Sequence, residues 1–129
     1  MQTNRAKGWT MQAFLLAVFG PRQIEPMVRL AQAARERAEF LRDVPDGAQV
    51  RHELIQVLRE LVSRAERKLL HTEADLAGSL LATVRLNDET SAGCDRLMRG
   101  ALILEEMLAR RLAKMQMLAR QDMSQALVA

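Results

Sequence analysis

Residues 50–86 read VRHELIQVLRELVSRAERKLLHTEADLAGSLLATVRL, a run without proline whose apolar side chains decide the fold. Leu54, Leu58, Leu61, Ala65, Leu69, Leu76 and Leu80 succeed one another mainly at steps of three and four, and Val50, Ile55, Val62, Val84 and Leu86 widen the stripe. Such steps hold side chains on one face of a helix with 3.6 residues per turn, and the alternation of a strand fails here. Read as one unbroken or mildly kinked helix, the run would be about 55 Å long at about 1.5 Å per residue. A break is conceivable at His71-Thr72-Glu73-Ala74-Asp75, where Thr72 could cap a new helix, and Gly78-Ser79 is a second place for a bend.

Working outward, Val44-Pro45-Asp46-Gly47 carries strong turn chemistry: proline fixes φ, aspartate can cap a helix and glycine tolerates tight geometry. Two antiparallel helices joined at this point are expected. Before the turn, Ile24, Met27, Ala31, Ala34, Ala38 and Leu41 form a stripe whose three alanines invite close approach by a neighbour. Pro26 suits a first helical turn and sets the expected start near Glu25. After the long run, Asn87-Asp88-Glu89-Thr90 breaks the pattern, with Thr90 or Ser91 placed to cap the next helix. The last stripe is Cys94, Leu97, Ala101, Leu104, Leu108, Leu112, Met115 and Ala119. Ile103, Met107 and Leu118 fall off it and call for a second neighbour. Five of the eight methionines lie in this region, and methionine suits adaptable contact surfaces.

The N-terminal end differs from the rest. Trp9, Met11, Phe14, Leu15, Leu16, Val18 and Phe19 precede Gly20-Pro21, a pair that stops a helix. The segment is too short to cross a bilayer as a helix, and its apolar run has no small-residue cleavage site after it. Large apolar side chains on all sides imply burial on all sides, against the bundle or a second chain. The fold expected is therefore all-α: an antiparallel bundle of three long helices plus a short apolar N-terminal helix. One domain over residues 9–122 is expected, with flexible ends at 1–8 and 123–129.

Composition narrows the function classes. Hydrophobic residues make up 49% and charged residues 27%, the balance of a soluble globular chain, and aromatic content is only 3%. The formal charge of +3 leaves sixteen arginines almost balanced by sixteen carboxylates, so clustered unopposed base for nucleic acid is not implied. Cys94 is the only cysteine, which excludes an intrachain disulfide and fits a reducing, cytoplasmic setting. Paired histidines, a Glu-x-x-His pair and cysteine clusters are all absent, so no metal and no cofactor is expected. Glycine-rich phosphate cradles are also missing.

Three local patterns offer alternatives. Arg64 and His71, with six residues between them, resemble the Arg-x(4–6)-His spacing of HEPN-type ribonucleases. On a continuous helix both would share a face and could act on a phosphodiester beside a dimer mate, although Ala65 stands where that family commonly has a polar residue. His52-Glu53-Leu54 resembles the phospho-acceptor helix of sensor kinases but lacks the proline turn that comes after it there. Thr72 to Ala77 with Asp95 to Gly100 resembles the helix-turn-helix of winged bacterial repressors, which implies Arg96 and Arg99 facing DNA. Against these stands a non-enzymatic interaction protein, an adaptor, chaperone-like protein or accessory subunit. It would form a homodimer or bind a protein partner through Trp9, Phe14, Leu15, Val18, Phe19, Ile103, Met107 and Leu118.

Overall fold

The computed structural model describes residues 20–86 and 89–128, with residues 122–128 as backbone only. Four helices account for nearly all of them: α1 (Pro21–Asp43), α2 (Ala48–Arg67), α3 (His71–Arg85) and α4 (Ser91–Val128). No strand occurs among the described residues. Each helix packs against two others, α1 on α2 and α4, and α3 on α2 and α4, so the four close a ring around one core. The apolar segment Trp9 to Phe19 lies outside the described residues.

The helix expected over 50–86 is divided. Its first part ends in a left-handed turn in which Leu69 takes φ 59°. Leu69 N–H donates to Glu66 O at 3.1 Å and Leu70 N–H to Ala65 O at 2.9 Å, the paired bonds of a Schellman motif. That position usually holds glycine, because a Cβ in left-handed geometry costs roughly 1–2 kcal/mol. A leucine there gives no sequence signal, which is why the stripe reads as continuous. The turn also changes which residues face inward. Leu70, Ala74 and Ala77 enter the core beside Leu80 and Val84, which the stripe already held, whereas Leu69, expected on the stripe, is 66% exposed. Thr72 is not the cap; Leu70 precedes the first residue of α3 and provides no side-chain bond.

Two other boundaries shift for local reasons. Helix α1 starts at Pro21 rather than near Glu25, with proline in its first turn and Gly20 extended before it. Pro26 consequently lies inside the helix, and the Arg22 carbonyl loses an N–H partner at the exposed start. Burial of Ile24, Met27 and Val28 on the same two turns offsets that loss. At the α1–α2 turn Gly47, not Asp46, holds the N-cap position. A Cβ on Gly47 would stand 3.2 Å from the Phe40 ring and 3.3 Å from Val44 O, a tight fit that favours glycine there. Arg51, itself buried, donates to Pro45 O at 2.8 Å and ties the turn to α2.

Elsewhere the pattern is obeyed closely. Ala31, Ala34 and Ala38 are fully buried, and so are Leu54, Leu58 and Leu108. Thr90 caps α4 by accepting from Gly93 N–H at 3.0 Å. Gly100 on α4 meets the Leu80 side chain so closely that a Cβ would overlap it. Around the core, Arg35 bonds Glu39 at 3.0 Å and also Glu105 of α4, which pushes the Arg35 pKa above its ordinary value. Arginine is charged at any working pH, so this pair fixes position and brings no pH sensitivity.

Candidate functional site

One end of the bundle departs from the rules that the rest obeys. Ile24 from the start of α1, Leu69 and Leu70 from the α2–α3 turn, and Arg111 and Met115 from α4 line a groove of about 240 Å³. Leu69 stands at this groove in its left-handed conformation, an exposed apolar side chain held by the turn beneath it. Strain of this kind is a pointer to function when the surrounding structure enforces it.

Beside the groove lies the most deeply buried charge among the described residues. Glu73, third in α3, is 1% exposed. It sits in the first turn of α3, where the helix dipole favours negative charge. Arg111 Nη2 donates to Glu73 Oε1 at 3.1 Å. Arg111 Nε stands against Oε2 in an ion-pair contact that lacks hydrogen-bond alignment, which leaves Oε2 without a directional partner. Arg111 is itself half-exposed, so its guanidinium bridges the buried carboxylate and the open groove. Glu73 gives no signal in the sequence, because an isolated glutamate on a polar stretch looks solvated. The left-handed turn is what swings it inward.

Helix α4 outruns the bundle at this end. Its buried residues are Gly93, Cys94, Leu97, Gly100, Ala101, Leu104 and Leu108, and none lies beyond Leu108 among those with described side chains. Yet the same stripe continues through Leu112, Met115 and Ala119, all half-buried, with Leu118 half-buried beside them. Met117, on the opposite side of that stretch, is 54% exposed.

The residues singled out in the sequence fall at several separate places. Ile103 is 51% exposed, and Met107 and Leu118 are half-buried. On one helix Arg110 and Lys114 fall seven and eleven residues after Ile103, on the same face between Met107 and Leu118, so the three do not form one apolar patch. Trp9, Phe14, Leu15, Val18 and Phe19 lie outside the described residues. Arg64 and His71 stand on different helices, one before and one after the left-handed turn, so the shared helix face is absent. Arg64 Nε donates to Glu60 Oε1 at 2.7 Å and His71 is exposed at the start of α3. Arg96 and Arg99 are exposed on α4, and α3 contacts α4 at Glu73 on Arg111 and at Leu80 on Gly100. Among the described residues no group of acidic, histidine or cysteine side chains is arranged to hold a metal ion. No described helix is long and apolar enough to cross a membrane.

No family model matches this chain, and neither a curated protein nor a solved structure is detectably similar to it.

Proposed function

We propose that this chain is a non-enzymatic interaction protein, an adaptor, chaperone-like protein or accessory subunit, that associates with itself or a protein partner through a helix face. In this reading the helices run antiparallel in up-and-down order, residues 9–19 add a short apolar helix, and the protein works in the cytoplasm. The observation that carries it is the end of α4: full burial stops at Leu108, Leu112 still packs against the core, and the apolar stripe goes on through Met115 and Ala119, which are only half-buried. An apolar stripe on a helix is stable in water only when something covers it. The groove beside it, about 240 Å³, is smaller than the roughly 300–1,000 Å³ of small-molecule sites. Its lining is apolar apart from Arg111, which suits an apolar side chain from a helix better than a polar substrate.

Size-exclusion chromatography with light scattering tests this reading. The full chain is expected to form a dimer or to capture a helical partner, and Met115→Asp, at the groove and outside the core, is expected to abolish that association. A chain that remains monomeric at all concentrations and captures no partner would rule the reading out.

A further inference from the structure

We infer that the groove and the end of α4 receive an acidic amphipathic helix of another protein, with an apolar side chain seated among Ile24, Leu70 and Met115 and carboxylates set against Arg111, Lys114 and Arg120. The inference rests on the end of α4 being the interaction surface, and it names the chemistry of the partner. Charge carries it. Elsewhere on the bundle arginine meets a carboxylate one turn away, as in Arg29 with Glu25, Arg35 with Glu39, Arg64 with Glu60 and Arg110 with Glu106. Beyond Glu106 that matching stops. From Met107 to Gln121 the sequence holds Arg110, Arg111, Lys114 and Arg120 and no carboxylate, and residues 1–19 contain none either. Lys114 and Arg120 are exposed and have no ion-pair partner among the described residues. Arg22, two residues before Ile24, and Lys68, next to Leu69, add two more such cations. Glu73 is committed to Arg111 and Glu25 to Arg29, and Asp75, two residues from Glu73, falls on the opposite side of α3. Among the described residues that leaves Glu66 at this end to oppose four cations.

The fold gains nothing from this arrangement. Lys114 stands at i+4 from Arg110 and at i+3 from Arg111, spacings at which like charges repel. The dipole of α4 does not explain it, because that effect is confined to the last turn and Arg120 precedes the last turn of a helix ending at Val128. Geometry favours a carboxylate-bearing helix over other occupants. The buried Glu73 engages Nη2 and Nε of Arg111, and Nη1 makes no hydrogen bond among the described residues, so a positioned guanidinium offers its remaining N–H groups at the groove. The floor is recessed, Ile24 being 1% and Leu70 4% exposed while Leu69 stands out beside them, which admits a protruding side chain and excludes a flat bilayer surface. Nucleic acid would answer the cations and leave Met115 and Ala119 uncovered. A second copy is disfavoured because a two-fold interface sets one patch against itself, base against base.

A displayed library of helix-forming peptides, randomised on every face, is selected on the immobilised full-length chain, and light scattering follows the chain alone. Recovered peptides are expected to carry apolar residues at i and i+3 or i+4 flanked by Asp and Glu, with affinity that falls as salt rises. Lys114→Glu combined with Arg120→Glu should weaken them roughly tenfold at low salt and favour peptides with Lys in place of Glu. Met115→Gln should weaken both kinds of peptide. All three positions lie outside the core, so helical circular dichroism should match the parent. Recovery of neutral or basic peptides, or of acidic peptides indifferent to the charge reversal, would overturn the inference and leave the association reading in place. A dimer that excludes acidic peptides would give the surface to a second copy, with the same consequence. Binding of phosphatidylglycerol vesicles or of duplex DNA through Lys114 and Arg120, with no acidic peptide recovered, would overturn it as well. A monomer that selects no peptide at all would reject both readings.

Discussion

Removing Arg111 tests whether the end of the bundle is built around a buried charge. Glu73 is almost fully enclosed, and its described partner is a guanidinium whose other face meets water. Losing one partner of a buried ion pair costs about 3–5 kcal/mol, because the remaining charge is uncompensated. Arg111 is 43% exposed at its side chain, so water can partly replace it. That lowers the expectation for Arg111→Met to about 2–3 kcal/mol, still well above the roughly 0–1 kcal/mol of a surface pair. Methionine keeps most of the stem, which confines the change to charge and hydrogen bonding. Urea unfolding monitored by circular dichroism would give the difference, and Glu73→Leu in the same background completes a double-mutant cycle. The double variant should recover most of the loss, since two well-packed apolar groups replace a buried pair at little net cost. Arg111→Met within about 0.5 kcal/mol of the parent, the range of ordinary surface changes, would refute the reasoning.

Three further outcomes are expected from the geometry. Leu69→Gly should stabilise the fold by up to about 1 kcal/mol in urea titration: it removes a left-handed leucine costing roughly 1–2 kcal/mol and adds roughly 0.5–1 kcal/mol of chain entropy. A clear loss of stability would show that the Leu69 side chain contributes packing that its exposure hides. Gly100→Ala should destabilise by about 1–3 kcal/mol because the new methyl overlaps Leu80, and thermal melting of the variant alone and with Leu80→Ala should show strong non-additivity. Thr90→Ala should cost about 0.5–2 kcal/mol through loss of the bond to Gly93 N–H, measurable by the same titration.

How much of the fold and of the groove is legible in the sequence depends on whether the deciding residue is the usual one for its job. The α1–α2 turn announces itself because Pro45 and Gly47 are residues that turns select, and Thr90 does so as a typical cap. The stripe on α4 is readable as far as Leu108 because one helix face suffices to define it. The division of residues 50–86 is not legible, since leucine rarely holds a left-handed turn. That one residue accounts for the other misses. The Arg64–His71 face requires a continuous helix, the stripe takes Leu69 and Leu76 where Leu70 and Ala77 are the buried residues, and Glu73 looks solvated although the turn buries it. Pro26 misleads in the opposite way, by matching a first-turn preference that the structure overrides to bury Ile24.

Three of the departures lie together. Leu69 in left-handed geometry, Glu73 buried and the unfinished stripe of α4 gather at the end where α1 begins. The other end holds the Pro45–Gly47 turn, the Thr90 cap and the contact of Arg42 with Met98, together with the buried Arg51, whose guanidinium is satisfied by Pro45 O. A chain selected only to fold has no reason to concentrate its costs in one place, whereas natural proteins break local rules where a surface has to serve something besides stability. A glycine at position 69 would make the turn easier and would also remove the exposed one of the two leucines that the α2–α3 connection places at the groove. Retaining leucine there is therefore understandable as the second wall of a cleft whose first wall is α4. On this view Leu69→Gly should make the fold more stable and the association weaker, opposite signs that a purely structural leucine would not give.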